Sequence, residues 1–116
     1  MNNLFVYGTL RKGKSRNYLL EGLNFKQAIL NNFHKVKNEI LNFPIIVKDM
    51  NSRVYGEIYF DIDEGLMKQL DEIEGEGHLY HRILVDIEII EGDKIKAFTY
   101  YPHEDLIKNF KIRLDL

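Results

Sequence analysis

Val54-Tyr55-Gly56-Glu57-Ile58-Tyr59-Phe60-Asp61, continued by Ile62-Asp63 and then by Glu64 to Gly75, changes its hydrophobic period part-way along. In the first part Val54, Gly56, Ile58 and Phe60 take one face, and Tyr55, Glu57, Tyr59 and Asp61 the other. That is the period of a strand. After Asp63 the spacing is helical, with Leu66, Met67, Leu70 and Ile73 on one stripe. Asp63 suits the N-cap, where its carboxylate accepts an N–H that the first turn leaves unpaired. Gly75 suits the left-handed residue that ends a helix. A half-buried strand feeding a capped amphipathic helix points to an α+β fold.

Upstream, Leu4-Phe5-Val6-Tyr7 reads as a buried strand that breaks at Gly8. Gly8 to Lys14 reads as a loop, followed by one or two helical turns around Ser15–Glu21. Gln27–Phe33 and His34–Glu39 read as two strands. Pro44-Ile45-Ile46-Val47 reads as a short one opened by a proline, whose missing N–H is tolerated there. Downstream, Arg82–Ile90 alternates with Ile83, Val85, Ile87 and Ile89 on one side. It turns at Glu91-Gly92-Asp93 and returns as Lys94–Tyr101. Tyr101-Pro102 closes the sheet, and Glu104–Leu116 has no assigned place. Six or seven strands against one well-marked helix predict a small mixed β-barrel or curved sheet with flanking helices.

The bulk composition fits this. A chain of 116 residues with 45% hydrophobic and 29% charged residues is expected to form one globular domain over 1–116. Cysteine is absent, which excludes a disulfide framework and any thiolate-ligated metal. Met1 to Val6 enters an apolar strand without a basic leader, and no apolar run approaches the ~18 residues of a membrane span. A soluble, cytoplasmic protein with no membrane partner is therefore expected. The net charge of −2 is uneven: residues 1–50 carry +5 and residues 51–76 carry −6. The basic part favours an anionic ligand near the N-terminal loop, or is a solvated surface. With no basic–aromatic stripe, nucleic acid is not an expected partner.

Glu74 is the sharpest chemical signal. It lies four residues after Leu70 and seven after Met67, so it shares their apolar face in the last turn of the helix. The helix dipole disfavours an anion there, and partial burial pushes its pKa the same way, upward. Such a carboxylate can take a proton and give it back. The alternative is a frayed helix end with Glu74 in solvent. Asp71 and Glu72 fall off the apolar face and are expected to be solvated.

The turn Tyr7-Gly8-Thr9-Leu10 is the second signal. Glycine permits backbone angles barred to other residues, and successive N–H groups in such a turn can converge on an anion. A plain strand-to-helix turn is the alternative. It is not a phosphate loop, since no Gly-Lys-Ser/Thr follows. His78 and His81 lack a matched third ligand, so no metal is expected. Ser15 lacks an elbow motif and a partnered His–Asp. Tyr7, Tyr80 and Tyr101 could line a pocket through their hydroxyls, or be half-buried packing.

Taken together, Tyr7-Gly8-Thr9-Leu10-Arg11-Lys12-Gly13, Leu70-Asp71-Glu72-Ile73-Glu74-Gly75 and Tyr80-His81-Arg82 resemble the hallmarks of the γ-glutamylcyclotransferase-like (AIG2-like) family. Phe43-Pro44-Ile45-Ile46-Val47, Val54-Tyr55-Gly56-Glu57-Ile58-Tyr59 and Ala97-Phe98-Thr99-Tyr100-Tyr101 resemble its proline, Gly-Glu and closing strands. The resemblance covers nearly the whole chain in order.

The resemblance implies a small β-barrel with a cavity at its mouth. It implies an enzyme that cyclises a small-molecule γ-glutamyl substrate to 5-oxoproline, releasing an amino acid or an amine. By position, Glu74 would be the general base and then the general acid. The backbone of Tyr7, Gly8, Thr9 and Leu10 would hold substrate oxygens, and Tyr101 would be a pocket hydroxyl. Ring closure is intramolecular, so the chemistry calls for no cofactor or metal. A binding module on the same fold is the non-enzymatic alternative.

Overall fold

The N-terminal apolar run forms β1 (Asn2–Val6). A 3-10 turn at Asn17–Leu20 leads into β2 (Phe25–Lys37) and β3 (Pro44–Ile62). The helix α1 (Glu64–Glu74) follows, then β4 (Tyr80–Ile89) and β5 (Lys94–Pro102). The computed structural model describes residues 2–37, 44–77, 79–104 and 106. The end of the expected strand His34–Glu39, Phe43, His78 and most of Glu104–Leu116 lie outside the described residues. The strands close into a barrel in the order β1-β3-β2-β4-β5. β1 runs parallel to β5 and the other neighbours are antiparallel, so the barrel is mixed.

Among the described residues the barrel has five strands rather than six or seven. Gln27–Phe33 and the residues from His34 form one strand, as do Pro44–Val47 and Val54–Asp61. The break in hydrophobic pattern between them is a bulge. Asn31 pairs with Arg53, but Phe33 pairs with Lys48, so β3 makes an excursion that β2 does not match. Asp49 organises it, accepting hydrogen bonds from the Asn51 N–H (3.1 Å) and the Ser52 hydroxyl (2.7 Å). Asn32 sits opposite at φ 68°, an angle that asparagine tolerates better than most residues. The sequence pattern marks the polar excursion but cannot say that pairing resumes beyond it.

Two apolar clusters hold the fold. One draws on all five strands and not on α1, with Phe5, Tyr7, Leu30, Ile58, Ile87 and Ala97 among its members, and it fills the barrel. The other places Met67 and Leu70 of α1 against Leu4, Val6, Ile45, Tyr59, Tyr80 and Tyr100. Burying each of those two helix side chains contributes about 1.5–3 kcal/mol. Alternate residues of β1 serve alternate clusters, so the strand is apolar on both faces. Its neighbour β3 approaches it closely at Gly56, where a Cβ would lie 2.3 Å from the Val6 carbonyl oxygen.

Both ends of α1 are capped as the sequence predicts. The Asp63 carboxylate accepts the Leu66 N–H at 2.7 Å, and Gly75 takes φ 66°, ψ 47°. This fixes Glu74 as the last helical residue.

Candidate active site

β1 ends at Val6, and the chain turns through Tyr7-Gly8-Thr9-Leu10. Every carbonyl of this turn has a donor. Lys35 Nζ donates to the Tyr7 oxygen at 3.2 Å. The backbone N–H of Arg11 (3.1 Å) and its Nε (3.2 Å) donate to Gly8. The Arg16 N–H donates to Thr9 at 2.9 Å, and Asn17 Nδ2 to Leu10 at 2.8 Å. The N–H groups of Gly8, Thr9 and Leu10, by contrast, have no protein acceptor among the described residues. Buried or half-buried N–H groups are nearly always paired, so three successive free donors on a cavity wall mark a place for an acceptor from outside the chain.

The turn is anchored from below by Glu57, which is 7% exposed. One of its oxygens accepts the Lys12 N–H at 2.7 Å and the Tyr59 hydroxyl at 3.3 Å. Asn17 Nδ2 also donates to the Tyr59 hydroxyl, at 2.8 Å. Gly8 does not use the left-handed freedom that glycine has. Its role is steric: a Cβ there would stand 3.3 Å from Cγ of Pro44.

Tyr7, Gly8, Thr9 and Leu10 share a cleft with Glu74 and Ile73 of α1, and with Arg16, Pro44, Leu79, Tyr80 and Tyr100. The Glu74 side chain is 14% exposed, with Arg16 Nη1 at 3.9 Å from Oε1. Burial raises its pKa, and the Arg16 charge offsets part of the rise. Burial also raises the phenol pKa values of Tyr7, Tyr80 and Tyr100, and the Glu74 charge adds to each. All three therefore stay protonated beside Glu74. Tyr7 donates to the Tyr100 carbonyl at 2.5 Å, and Tyr80 to the Pro44 carbonyl at 3.4 Å.

Tyr101 does not join the cleft lining. It stands on the opposite face of β5 from Tyr100, its ring edge-on to Phe33 at 6.1 Å and packed in the barrel cluster. There it adds to the rise in the Tyr7 pKa. Alternation along a strand lets only one of two consecutive tyrosines face the cleft, and the sequence does not say which. Asp71 also departs from expectation, since it is half-buried and partnered. It accepts the Tyr100 hydroxyl at 2.8 Å and lies 3.5 Å from Arg82, whose guanidinium covers the Phe98 ring at 4.8 Å. Among the described residues no group of three His, Cys, Asp or Glu is placed to hold a metal, and no helix is long and apolar enough to cross a membrane.

The family model described as gamma-glutamyl cyclotransferase, AIG2-like, matches residues 4–113. The chain belongs to that family. Among the relatives of this AIG2-like chain is gamma-glutamylaminecyclotransferase A of Danio rerio, 34% identical over 109 residues. That match covers 84% of this chain and 67% of the relative. A gamma-glutamylaminecyclotransferase of Rattus norvegicus is 25% identical, with 86% and 77% covered. The crystal structure of an AIG2-like protein from Mus musculus superposes with a TM-score of 0.79 at 26% identity, covering 90% of this chain and 78% of that one. Like these relatives, the AIG2-like chain is an enzyme of the gamma-glutamyl cyclotransferase type.

Proposed function

We propose that this cleft converts a γ-glutamyl conjugate into 5-oxoproline and a free amine or amino acid, with Glu74 as general base and then general acid. The observation that carries the reading is the turn Gly8-Thr9-Leu10, its carbonyls satisfied and its N–H groups free, on one wall of a cleft that holds a half-buried carboxylate. Main-chain donors suit substrate oxygens, and the carboxylate suits an ammonium group.

The chemistry follows from that pairing. The substrate's α-amine is protonated near neutral pH and is no nucleophile until a base removes the proton. Glu74 takes it. The amine nitrogen then attacks the γ-carbonyl carbon, forming a C–N bond and a tetrahedral oxyanion that free N–H donors can stabilise. Glu74 returns that proton to the departing nitrogen, whose bond to carbon breaks as the oxyanion collapses. It then takes the second proton, which the attacking nitrogen sheds to become the ring amide, and passes it to the released amine. The reaction is intramolecular, so the cleft's main work is to fold the substrate and shuttle two protons through Glu74. A pKa raised by burial brings the carboxylate nearer to the range in which it serves in both directions.

The test is to incubate the purified chain with γ-glutamyl amino acids and γ-glutamyl amines and to identify the product by mass spectrometry. Release of 5-oxoproline with a stoichiometric amine supports the reading. Binding of γ-glutamyl compounds with no 5-oxoproline would make the cleft a binding site instead.

A further inference from the structure

The free N–H groups of Gly8, Thr9 and Leu10 belong to peptide units whose carbonyls are all engaged on the other side. These peptide bonds are trans, so the C=O and N–H of each unit point opposite ways. The unit joining Tyr7 to Gly8 accepts from Lys35 Nζ at 3.2 Å, and its N–H is that of Gly8. The unit joining Gly8 to Thr9 accepts from Arg11 twice, through its N–H at 3.1 Å and its Nε at 3.2 Å. The N–H of that unit is Thr9's. The unit joining Thr9 to Leu10 accepts a neutral donor, the Arg16 N–H at 2.9 Å. Two of the turn's free donors thus have a cation at the far end of their own amide.

Neither cation is matched elsewhere. Among the described residues Lys35 and Arg11 have no ion-pair partner. Lys35 follows Phe33 by two residues in β2 and is paired with Ile46, so it stands on the strand face turned to the barrel cluster. Burial lowers its pKa, and repulsion from Arg11, Lys14 and Lys37 lowers it further. For the fold alone this is an unfavourable place for a charge, since a neutral side chain could also donate to the Tyr7 carbonyl.

A positive charge at an amide oxygen favours the form of the amide with a negative oxygen, and the N–H at the other end becomes a stronger donor. Linked hydrogen bonds strengthen one another in this way by about 10–30% each. We propose that Lys35 and Arg11 are positioning residues of the donor turn. From behind it they hold and polarise two peptide units, so that the Gly8 and Thr9 N–H groups bind an oxyanion more strongly than ordinary amides do. The bearing on catalysis rests on the cyclotransferase reading above, in which the oxyanion forms at the γ-carbonyl. The polarisation itself does not.

Amide hydrogen exchange reads the polarisation directly. Base-catalysed exchange passes through an anion whose charge sits on the amide oxygen, so a cation at that oxygen speeds it. In about 0.5 M salt, which screens exposed charges, Lys35→Gln should slow exchange at the Gly8 N–H by about three- to tenfold, read by NMR on the full chain. Arg11→Gln should do the same at Thr9. Lys35→Arg should keep the wild-type rate at Gly8, and amides away from the turn should not change. The loss of a mere tether would leave exchange at the turn unchanged or speed it. Either result at Gly8 in Lys35→Gln overturns the proposal.

Turnover reads the catalytic part. Removing an oxyanion donor outright costs about 10²–10³ in kcat, so weakening one should cost less, about tenfold. Lys35→Gln should show that fall in kcat for 5-oxoproline release with KM little changed, and Lys35→Arg should restore it. A loss confined to KM, or no loss, overturns the catalytic role. If the wild type releases no 5-oxoproline, the cyclotransferase reading fails, and the exchange rates alone decide whether the cations polarise the turn.

Discussion

Tyr100 donates its hydroxyl to Asp71 at 2.8 Å, joining β5 to the last turn of α1 three residues before Glu74. Arg82 of β4 lies 3.5 Å from the same carboxylate and covers Phe98, so two barrel strands grip the helix end through one acid. A carboxylate that accepts a phenol and faces a guanidinium is a joint rather than a solvated charge.

The joint should show as energetic coupling. In a double-mutant cycle of Asp71→Asn and Tyr100→Phe, followed by urea denaturation, the two changes should be non-additive by about 1 kcal/mol. Strict additivity would mean that the contact contributes nothing to holding the helix end.

The close approach of β3 to β1 makes a second prediction. Gly56→Ala would put a Cβ 2.3 Å from the Val6 oxygen and 2.8 Å from Cζ of Phe5, so backbone must move. It should cost about 3 kcal/mol or more, above the usual range for overpacking because the obstacle is main chain. Gly8→Ala meets only the Pro44 ring at 3.3 Å and should be tolerated with a smaller loss. Thermal unfolding of the two variants ranks them, and equal stabilities would contradict the geometry.

Much of this was legible in the sequence, and the exceptions have physical causes. The helix was readable to the residue, because Asp63 and Gly75 are local signals and the stripe Leu66, Met67, Leu70, Ile73 has a clear period. The strand count was not, because a bulge built by Asp49 and Asn32 breaks the pattern without ending the pairing. Tyr7, Gly8, Thr9, Leu10 and Glu74, all candidates on sequence grounds, share one cleft. The motif match points to Tyr101 rather than Tyr100, and facing is decided by the register of β5 against β4 and β1. Glu57 reads only as one of a strand face shared with Tyr55, Tyr59 and Asp61, and Asp71 as a solvated acid. Only tertiary structure brings the Lys12 N–H to the first and the Tyr100 hydroxyl to the second.

The raised pKa of Glu74 has a consequence for stability. Folding favours the protonated form, so the contribution of this group is present below its unfolded pKa, near 4.5, and is lost as pH rises through the folded value. At neutral pH the fold bears the burial of a carboxylate that Arg16 only partly compensates. Glu74→Gln should therefore unfold at a higher temperature than the wild type at pH 7. The difference should shrink as the pH falls towards 4.5. A variant less stable than the wild type at pH 7 would show that the Arg16 contact outweighs burial.

The most direct test of the account is the rate of 5-oxoproline release by Glu74→Gln, measured with the best γ-glutamyl conjugate, beside the affinity of the same variant for that conjugate. Glutamine keeps the shape of the side chain but cannot act as the base. The account predicts a fall in kcat of roughly 10²–10⁴. Binding should persist through the free N–H groups of Gly8, Thr9 and Leu10, and the acidic limb of the wild-type kcat/KM profile should be absent. Turnover at the wild-type rate in a folded Glu74→Gln variant, with the acidic limb unchanged, would contradict it.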